Sequence, residues 1–298
     1  MAGIITKNQR EQRVMAVLSY IFLFRFVMVK DLNFLGCTLM NIKDMRRTIE
    51  YLLKHKLIGS FAVCTPVKTT GFYLLEAGLS RLPKSLLAYK YSFYPVWYRP
   101  GKFWHDSGVS EVCLWIQKLA GKGYWISEWM IRQDRGRSVG KKGVVGLPGG
   151  RTKSVSRGRL PDGFFVVCMG GRIAVEFEST RKNVHAWVDM VRDLEYGLKV
   201  QEKINPDTNE IVTGRDFEAV LFVFTDNKTL AVYRKRFDEY SKVSINLIAE
   251  DGHVQAVKNP GHFFLTTLDG LKKGIALGAR GEIEIGDLFK FVENEAGK

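Results

Sequence analysis

Residues 159–182 read RLPDGFFVVCMGGRIAVEFESTRK, and the pattern of this stretch decides the fold of the C-terminal part of the chain. Two runs of apolar residues lie on either side of the pair Gly170-Gly171. Two glycines between apolar runs favour a tight turn between antiparallel strands, because glycine accepts the positive φ values that such turns need. The stretch therefore predicts a β-hairpin with strands over residues 163–169 and 172–177.

Three carboxylates lie at one end of this predicted hairpin. Asp162 precedes the first strand, and Glu176 and Glu178 lie at the end of the second. Because side chains alternate along a strand, the two glutamates share a face, and the turn brings Asp162 near Glu176. Like charges so close repel one another unless a cation or a proton neutralises them. Carboxylate oxygens suit Mg²⁺ or Mn²⁺, so we expect a divalent-metal site that activates water and offsets the charge of a phosphate.

The segments around the hairpin predict a domain with alternating helices and strands. Apolar residues at helical spacing, and shorter apolar runs, identify these elements. The helices are expected over residues 107–119, 182–201 and 229–240, and the strands over residues 124–131, 219–225, 245–249 and 263–267. The predicted fold class is α/β or α+β, with a mixed sheet in a domain of residues 100–298.

Residues 1–99 predict a second, smaller domain. Its apolar pattern indicates helices over residues 9–24 and 29–35, a third helix that Thr38 or Asn41 caps and that ends at 57, and strands over residues 57–64 and 71–75. Three helices followed by a hairpin are typical of a winged helix-turn-helix, whose third helix enters the major groove of DNA. The same scaffold can serve as a protein–protein module, which remains the alternative.

The net charge of +14 indicates a polyanionic partner, since Lys and Arg gain affinity for nucleic acid by releasing counterions. Residues 1–99 carry 15 basic and 5 acidic side chains, and the glycine-rich segment 132–159 carries 9 basic and 1 acidic. Two separate basic zones predict two DNA contacts. The candidates are Lys43, Arg46 and Arg47 on the third helix, Lys68 in the turn of the hairpin, and Arg135, Arg137, Lys141, Lys142, Arg151, Lys153, Arg157 and Arg159 in the basic segment.

The four cysteines are scattered without a CxxC pair, which argues against a structural zinc site and against a disulfide framework. We expect a reducing cytoplasm. The apolar run of residues 14–24 is too short to span a bilayer, so we expect no membrane insertion. Tyr196 is a conceivable nucleophile for phosphorus, but we expect it to pack in the core.

The order proline-aspartate, hairpin and acid-x-acid resembles the PD-(D/E)xK nuclease superfamily, in which an aspartate and a glutamate bind metal and a lysine assists the nucleophile. The resemblance assigns catalytic roles to Asp162, Glu176, Glu178 and Lys182. The sequence departs from the usual pattern because Glu178 stands where that lysine is expected and Lys182 follows four residues later. Glu111, on the preceding helix, resembles the additional metal-binding acid that many members donate.

The whole chain is similar to the MOBC class of plasmid mobilisation relaxases, on the strength of the winged helix, the motif His105-Asp106-x(4)-Glu111, the basic loop and the acidic residues above. This resemblance implies a bacterial protein that nicks one strand at a plasmid transfer origin with Mg²⁺ or Mn²⁺. It also implies a relaxosome with an accessory protein and a coupling ATPase. Two alternatives remain: a replication or transcription regulator on an inactive nuclease fold, and a restriction-type endonuclease.

Overall fold

The computed structural model describes residues 7–32, 42–63, 68–93, 100–133, 160–199, 201–204, 211–242, 260–279 and 281–297. These residues form a mixed α and β structure with a three-stranded antiparallel sheet and a seven-stranded mixed sheet. The chain divides into two compact units, Met1–Leu114 and Trp115–Lys298. The division falls inside the helix Pro100–Ala120, whereas the sequence predicts a boundary at residue 100.

The N-terminal unit combines helices with a small sheet. Its elements are α1 (Lys7–Phe24), β1 (Phe26–Met28), α2 (residues 29–32), α3 (Ile42–Lys54), β2 (Ile58–Val63), β3 (Thr69–Leu74), α4 (Glu76–Leu79) and α5 (Lys84–Leu87). The strands are antiparallel in the order β1-β3-β2. Helical residues occur in all three segments that the sequence predicts as helices, although residues 33–35 of the second lie outside the described residues. The predicted hairpin is present as β2 and β3, and β1, which the sequence did not predict, pairs with β3.

The hydroxyl of the half-buried Tyr91 joins the end of β3 to the end of α1. Arg25 follows α1 and has a φ of 65°, which ends the helix and turns the chain into β1. The Tyr91 hydroxyl donates a hydrogen bond to the Arg25 carbonyl and accepts one from the backbone N–H of Leu74 at 3.1 Å. Tyr91 thereby links the backbone at the end of α1 to the backbone at the end of β3.

The remaining elements begin with a long helix and continue through the large sheet. They are α6 (Pro100–Ala120), β4 (Tyr124–Ser127), α7 (residues 128–133), β5 (Gly163–Val166), β6 (Arg172–Glu178), α8 (Val184–Leu198), β7 (Gln201–Ile204), β8 (Ile211–Gly214), β9 (Ala219–Phe224), α9 (Asn227–Lys242), β10 (Phe263–Thr267), α10 (Leu268–Lys272), β11 (Ile275–Gly278), β12 (Gly281–Glu284) and α11 (Ile285–Ala296). The large sheet has the order β12-β11-β10-β9-β6-β5-β4, and β7 and β8 form a separate pair.

The large sheet is antiparallel at both sides and parallel in the middle. Strands β4, β5 and β6 form an antiparallel meander, whereas β6, β9 and β10 are parallel. One face packs on α8 and α9 in a cluster that includes Trp187, Val191, Phe222 and Tyr233. The other face meets α11, where the ring of Phe289 lies 5.8 Å from that of Phe165.

Several predicted boundaries differ from the structure. The predicted strand over residues 124–131 ends at Ser127, and residues 128–133 are helical. The helix predicted from residue 107 begins at Pro100, and the helix predicted over residues 182–201 spans Val184–Leu198. The caps proposed at Thr38 and Asn41 and the strand over residues 245–249 lie outside the described residues.

Within the described ranges, no helix combines the length and apolar character that crossing a lipid bilayer requires.

Candidate active site at one edge of the large sheet

Polar side chains converge at the edge of the sheet where β6 and β9 end. Because β5 is antiparallel to β6, β5 begins at this edge, and the last paired positions there are Gly163 and Val175. Asp162 and Glu176 are the next residues along the two strands, so they occupy opposite positions. Directly opposed residues of antiparallel strands have Cα atoms about 5 Å apart. The predicted proximity of Asp162 and Glu176 therefore agrees with the register of the hairpin.

Asp162 is held in place by both neighbouring strands. Its Oδ2 accepts a hydrogen bond from the backbone N–H of Phe177 at 2.8 Å. Its carbonyl oxygen accepts another from the backbone N–H of Glu128 at 3.1 Å, where β4 gives way to α7. These contacts orient a half-buried carboxylate toward the end of β6.

Glu176 and Glu178 are both buried, with 0% and 3% of their surface exposed. They alternate with Phe177 and share the face of Ala174, which packs in the cluster under α8 and α9. A buried carboxylate costs free energy unless a cation, a proton or hydrogen-bond donors compensate for its lost hydration. For Glu178 this cation is the Lys182 ammonium, whose Nζ forms an ion pair with the Glu178 Oε1.

Helix α9 positions the backbone of Lys182. The Tyr233 hydroxyl accepts a hydrogen bond from the N–H of Lys182 at 3.1 Å, and the Arg236 guanidinium donates one to its carbonyl at 2.9 Å. Arg236 also lies over the Tyr233 ring, 5.3 Å from its centroid. The chain after β6 thus bends inward, which the ammonium of Lys182 needs in order to reach the carboxylates.

Tyr233 and Arg236 are site residues that the sequence did not identify. They are more than 50 positions from Lys182, and neither belongs to a motif of the PD-(D/E)xK type. The available signal was their spacing of three residues on the predicted helix over residues 229–240, which places them on one face. That spacing does not indicate that Tyr233 and Arg236 contact Lys182.

Glu111 lies on α6 within the N-terminal unit. Its charge adds to the burial that raises the pKa of Asp31 and of Tyr20 in the same unit, although burial is the larger cause in both. Across the part of the chain that the structure describes, no three His, Cys, Asp or Glu residues form a group arranged to hold a metal ion.

The prediction that Tyr196 packs in the core is wrong, because 61% of its surface is exposed. Tyr196 lies 12 residues after Val184, the first residue of α8. At 1.5 Å per residue this is about 18 Å along the helix axis. The phenol is therefore remote from Lys182, which lies just before the other end of α8.

The candidate DNA contacts on α3 lie on its solvent face. Lys43, Arg46 and Arg47 are exposed, whereas Met45 and Ile49 are buried. Lys68, directly before β3, is also exposed. The other candidates lie outside the described residues: Arg135, Arg137, Lys141, Lys142, Arg151, Lys153, Arg157 and Arg159.

Comparisons of the chain with models of protein families, with curated proteins and with solved structures found no match. The functional interpretation therefore depends on the residues and contacts described above.

Proposed function

We propose that this protein is a metal-dependent DNA endonuclease of the relaxase type, which nicks one strand at a plasmid transfer origin during conjugative mobilisation. The observation that carries the proposal is the opposition of Asp162 and Glu176 on neighbouring strands, beside the ion pair of Glu178 and Lys182. Two acids and an ammonium at one sheet edge are the groups that the PD-(D/E)xK pattern requires.

The order of elements supports this proposal. A helix, three antiparallel strands, a helix and a strand parallel to the third occur in the order α6, β4, β5, β6, α8 and β9, with α7 inserted after β4 and the β7-β8 pair inserted before β9. This order resembles the core of restriction-endonuclease-like domains. In the N-terminal unit, α3 precedes the hairpin of β2 and β3, as the recognition helix precedes the wing in a winged helix-turn-helix.

The chemistry of the carboxylates fits Mg²⁺ or Mn²⁺. Mg²⁺ is commonly held by one or two carboxylates together with water, so a pair of acids is a sufficient donor set. Asp162 and Glu176 would hold the ion. A bound divalent ion supplies an activated water and charge compensation at the scissile phosphate.

The chain's own residues complete the proposed site. The Lys182 ammonium has three N–H donors, and its contact with Glu178 leaves donors that can orient an attacking oxygen or a phosphate oxygen. Tyr233 and Arg236 keep the Lys182 backbone beside Glu178. Lys43, Arg46, Arg47 and Lys68 would fix the register on duplex DNA through phosphate contacts, while the basic segment 132–159 would contact the strand to be cut. An accessory protein and a coupling ATPase are the proposed relaxosome partners.

A specific observation favours a second candidate, a replication or transcription regulator that binds DNA without cutting it. The Glu178 carboxylate is neutralised by Lys182, Asp162 accepts a backbone hydrogen bond, and the described residues contain no group of three metal ligands. A binder of this kind would use the N-terminal unit alone for recognition.

Cleavage of supercoiled plasmids that carry different transfer origins separates the candidates. We expect nicked circles with Mn²⁺ or Mg²⁺ and none with chelator, and a loss of at least about 100-fold in rate for Asp162→Asn and Glu176→Gln. Asp189→Asn is the matched control, since this exposed acid of α8 pairs with Arg192. Duplex binding should stay within a few-fold for all three variants.

Calorimetric titration of the protein with Mn²⁺ gives a readout that does not depend on activity. We expect weaker binding of Mn²⁺ by Asp162→Asn than by Asp189→Asn. Tight DNA binding with no cleavage in any metal would support the regulator instead, and cleavage of both strands would support a restriction-type enzyme. An equal loss of DNA binding in Asp162→Asn would contradict the separation of binding and cutting between the two units.

A further inference from the structure

A cavity of about 260 Å³ lies between α1 and α3 in the N-terminal unit. Three arginines line it: Arg10 and Arg13 come from α1, and Arg47 comes from α3. Arg10 is exposed, and the Arg13 and Arg47 side chains are 24% and 57% exposed. The volume is several times the ~30 Å³ that one water occupies in the liquid, so the cavity has room for a phosphate group with water around it.

The charges around the cavity leave an excess of cations. Among the described residues that line the cavity, Asp44 is the only acid, and it lies 2.9 Å from the Arg13 guanidinium and 3.8 Å from that of Arg47. One carboxylate therefore faces three guanidinium groups. The close contact engages Arg13, whereas the longer one leaves Arg47 able to bind an anion at the rim.

Arg10 is more exposed than Arg13, the other arginine of α1 at the cavity, and a neighbouring aromatic ring holds it in place. The Arg10 guanidinium lies over the Tyr51 ring, 4.6 Å from its centroid. A stacked guanidinium keeps its N–H groups at the edge of the plane, where they can reach a phosphate oxygen. Arg10 and Arg47 thus present two planar donors to the same cavity from two helices, an arrangement suited to the oxygens of a phosphate.

The position of the cavity identifies the phosphate that it would bind. Arg47 belongs both to the cavity and to the exposed face of α3 that carries Lys43 and Arg46. We propose that this cavity binds a phosphate of the DNA backbone and that Arg10 and Arg13 extend the DNA contact from α3 onto α1. The proposal rests on the DNA binding assigned to the N-terminal unit above, and it does not require cleavage.

The salt dependence of duplex binding tests this proposal. Each phosphate contact makes the negative slope of log K against log salt concentration steeper by about 0.9. Loss of one contact should therefore make the slope shallower by about 0.9, which corresponds to binding about eightfold weaker at about 0.1 M salt. We expect this result for Arg10→Gln, measured by fluorescence anisotropy on the full chain. Arg10→Lys keeps the charge and should retain the slope.

Two controls distinguish the cavity from DNA binding in general. Lys290→Gln removes an exposed charge on α11 and should leave the slope unchanged, whereas Arg46→Gln should lower it. If Arg10→Gln leaves the slope unchanged while Arg46→Gln lowers it, the cavity proposal is overturned and the DNA-binding role of α3 stands. If the unmodified protein does not bind duplex DNA, the function proposed above fails instead.

Titration with inorganic phosphate separates a DNA contact from a site for a free anion. We expect inorganic phosphate to bind only weakly and to compete with duplex in the unmodified protein more than in Arg10→Gln. Tight binding of inorganic phosphate, with no effect of Arg10→Gln on the DNA slope, would overturn the proposal in favour of a free-anion site. Thermal unfolding of each variant checks the fold, and Arg10→Ala provides a second neutral variant with the same expected loss.

Discussion

Asp31 is a buried carboxylate of the N-terminal unit, with 3% of its surface exposed. It accepts hydrogen bonds from the backbone N–H of Met28 at 2.9 Å and from the Ser107 hydroxyl at 3.1 Å. Burial raises the pKa of Asp31 from 3.8 to about 6, because these bonds and the charge of Lys30 only partly offset the lost hydration. We expect Asp31→Asn to remove a pH-dependent part of the stability of this unit.

The direction of this pH dependence follows from which pKa of Asp31 is higher, that of the folded state or that of the unfolded state. Since the folded-state pKa is the higher one, the folded protein binds a proton that the unfolded chain releases at lower pH. The stabilisation from this proton is fully present below pH 3.8 and is lost as the pH rises through about 6. The difference between the two values corresponds to about 3 kcal/mol of unfolding free energy. The amide of the substituted side chain keeps an acceptor oxygen, so its contribution should not change across this window.

Urea denaturation at several pH values between about 4 and 7 measures this effect. The unfolding free energy of the unmodified protein minus that of Asp31→Asn should fall by about 2.5 kcal/mol from about pH 4 to about pH 7, because much of the unfolded-state carboxyl is already ionised at the lower pH. Glu50→Gln on the exposed face of α3 is the matched control for the loss of one negative charge. A difference that stays constant from pH 4 to pH 7 would refute the assignment of the titrating group to Asp31.

Two further substitutions test how local contacts stabilise each unit. Tyr91→Phe removes the hydroxyl that joins the Arg25 carbonyl to the Leu74 N–H, and we expect a loss of about 2 kcal/mol in the urea transition of the N-terminal unit, because two backbone groups lose their partner. Asn183→Ala removes the side chain that caps α8 by accepting from the N–H of Ala186 at 2.8 Å; we expect a loss of about 1 kcal/mol, whereas Asn183→Asp should retain the cap and the melting temperature.

The helices with strong apolar spacing could be predicted from sequence because their buried face is a local property. In α8, the spacing of Trp187, Met190, Val191 and Leu194 matches the residues that pack against the large sheet. The start of α6 could not be predicted in this way. Pro100 interrupts an aromatic segment, yet proline is accommodated at the first position of a helix, where its missing N–H has no intrahelical partner.

The aromatic residues near the start of α6 explain why the helix extends so far toward its N-terminus. Phe103 packs against Phe26 at 5.1 Å and against Phe61 at 5.3 Å, all within the N-terminal unit. These contacts join segments that are far apart in sequence, so periodicity within residues 83–103 gave no sign of them. The strand predicted over residues 124–131 is confirmed only as far as Ser127. Its second half is helical, because consecutive buried residues from Trp129 to Ile131 fit a buried helix as well as a strand.

The local half of the candidate site could be predicted, and the distant half could not. The hairpin could be predicted, and with it the proximity of Asp162 to the end of β6, but the register could not. The first strand ends at Val166 and not at residue 169, and Val166 pairs with Arg172 across a turn over residues 167–171, so Asp162 opposes Glu176. A two-residue turn at Gly170-Gly171 would instead have placed Asp162 opposite Ser179. The side chains that hold Lys182 come from α9, and the sheet order that places α9 there is a property of the whole fold. The spacing of residues in the sequence does not reveal this sheet order.

The departure at position 178 gains a physical explanation from the contact with Lys182. In the PD-(D/E)xK pattern that the sequence resembles, a lysine stands at the position of Glu178. Here the ammonium comes from Lys182 instead, because the Lys182 backbone is held by Tyr233 and Arg236 of α9 while its Nζ pairs with Glu178. The contacts that hold the chain after β6 therefore determine whether an ammonium reaches this edge of the sheet, more than the position of the lysine in the sequence does.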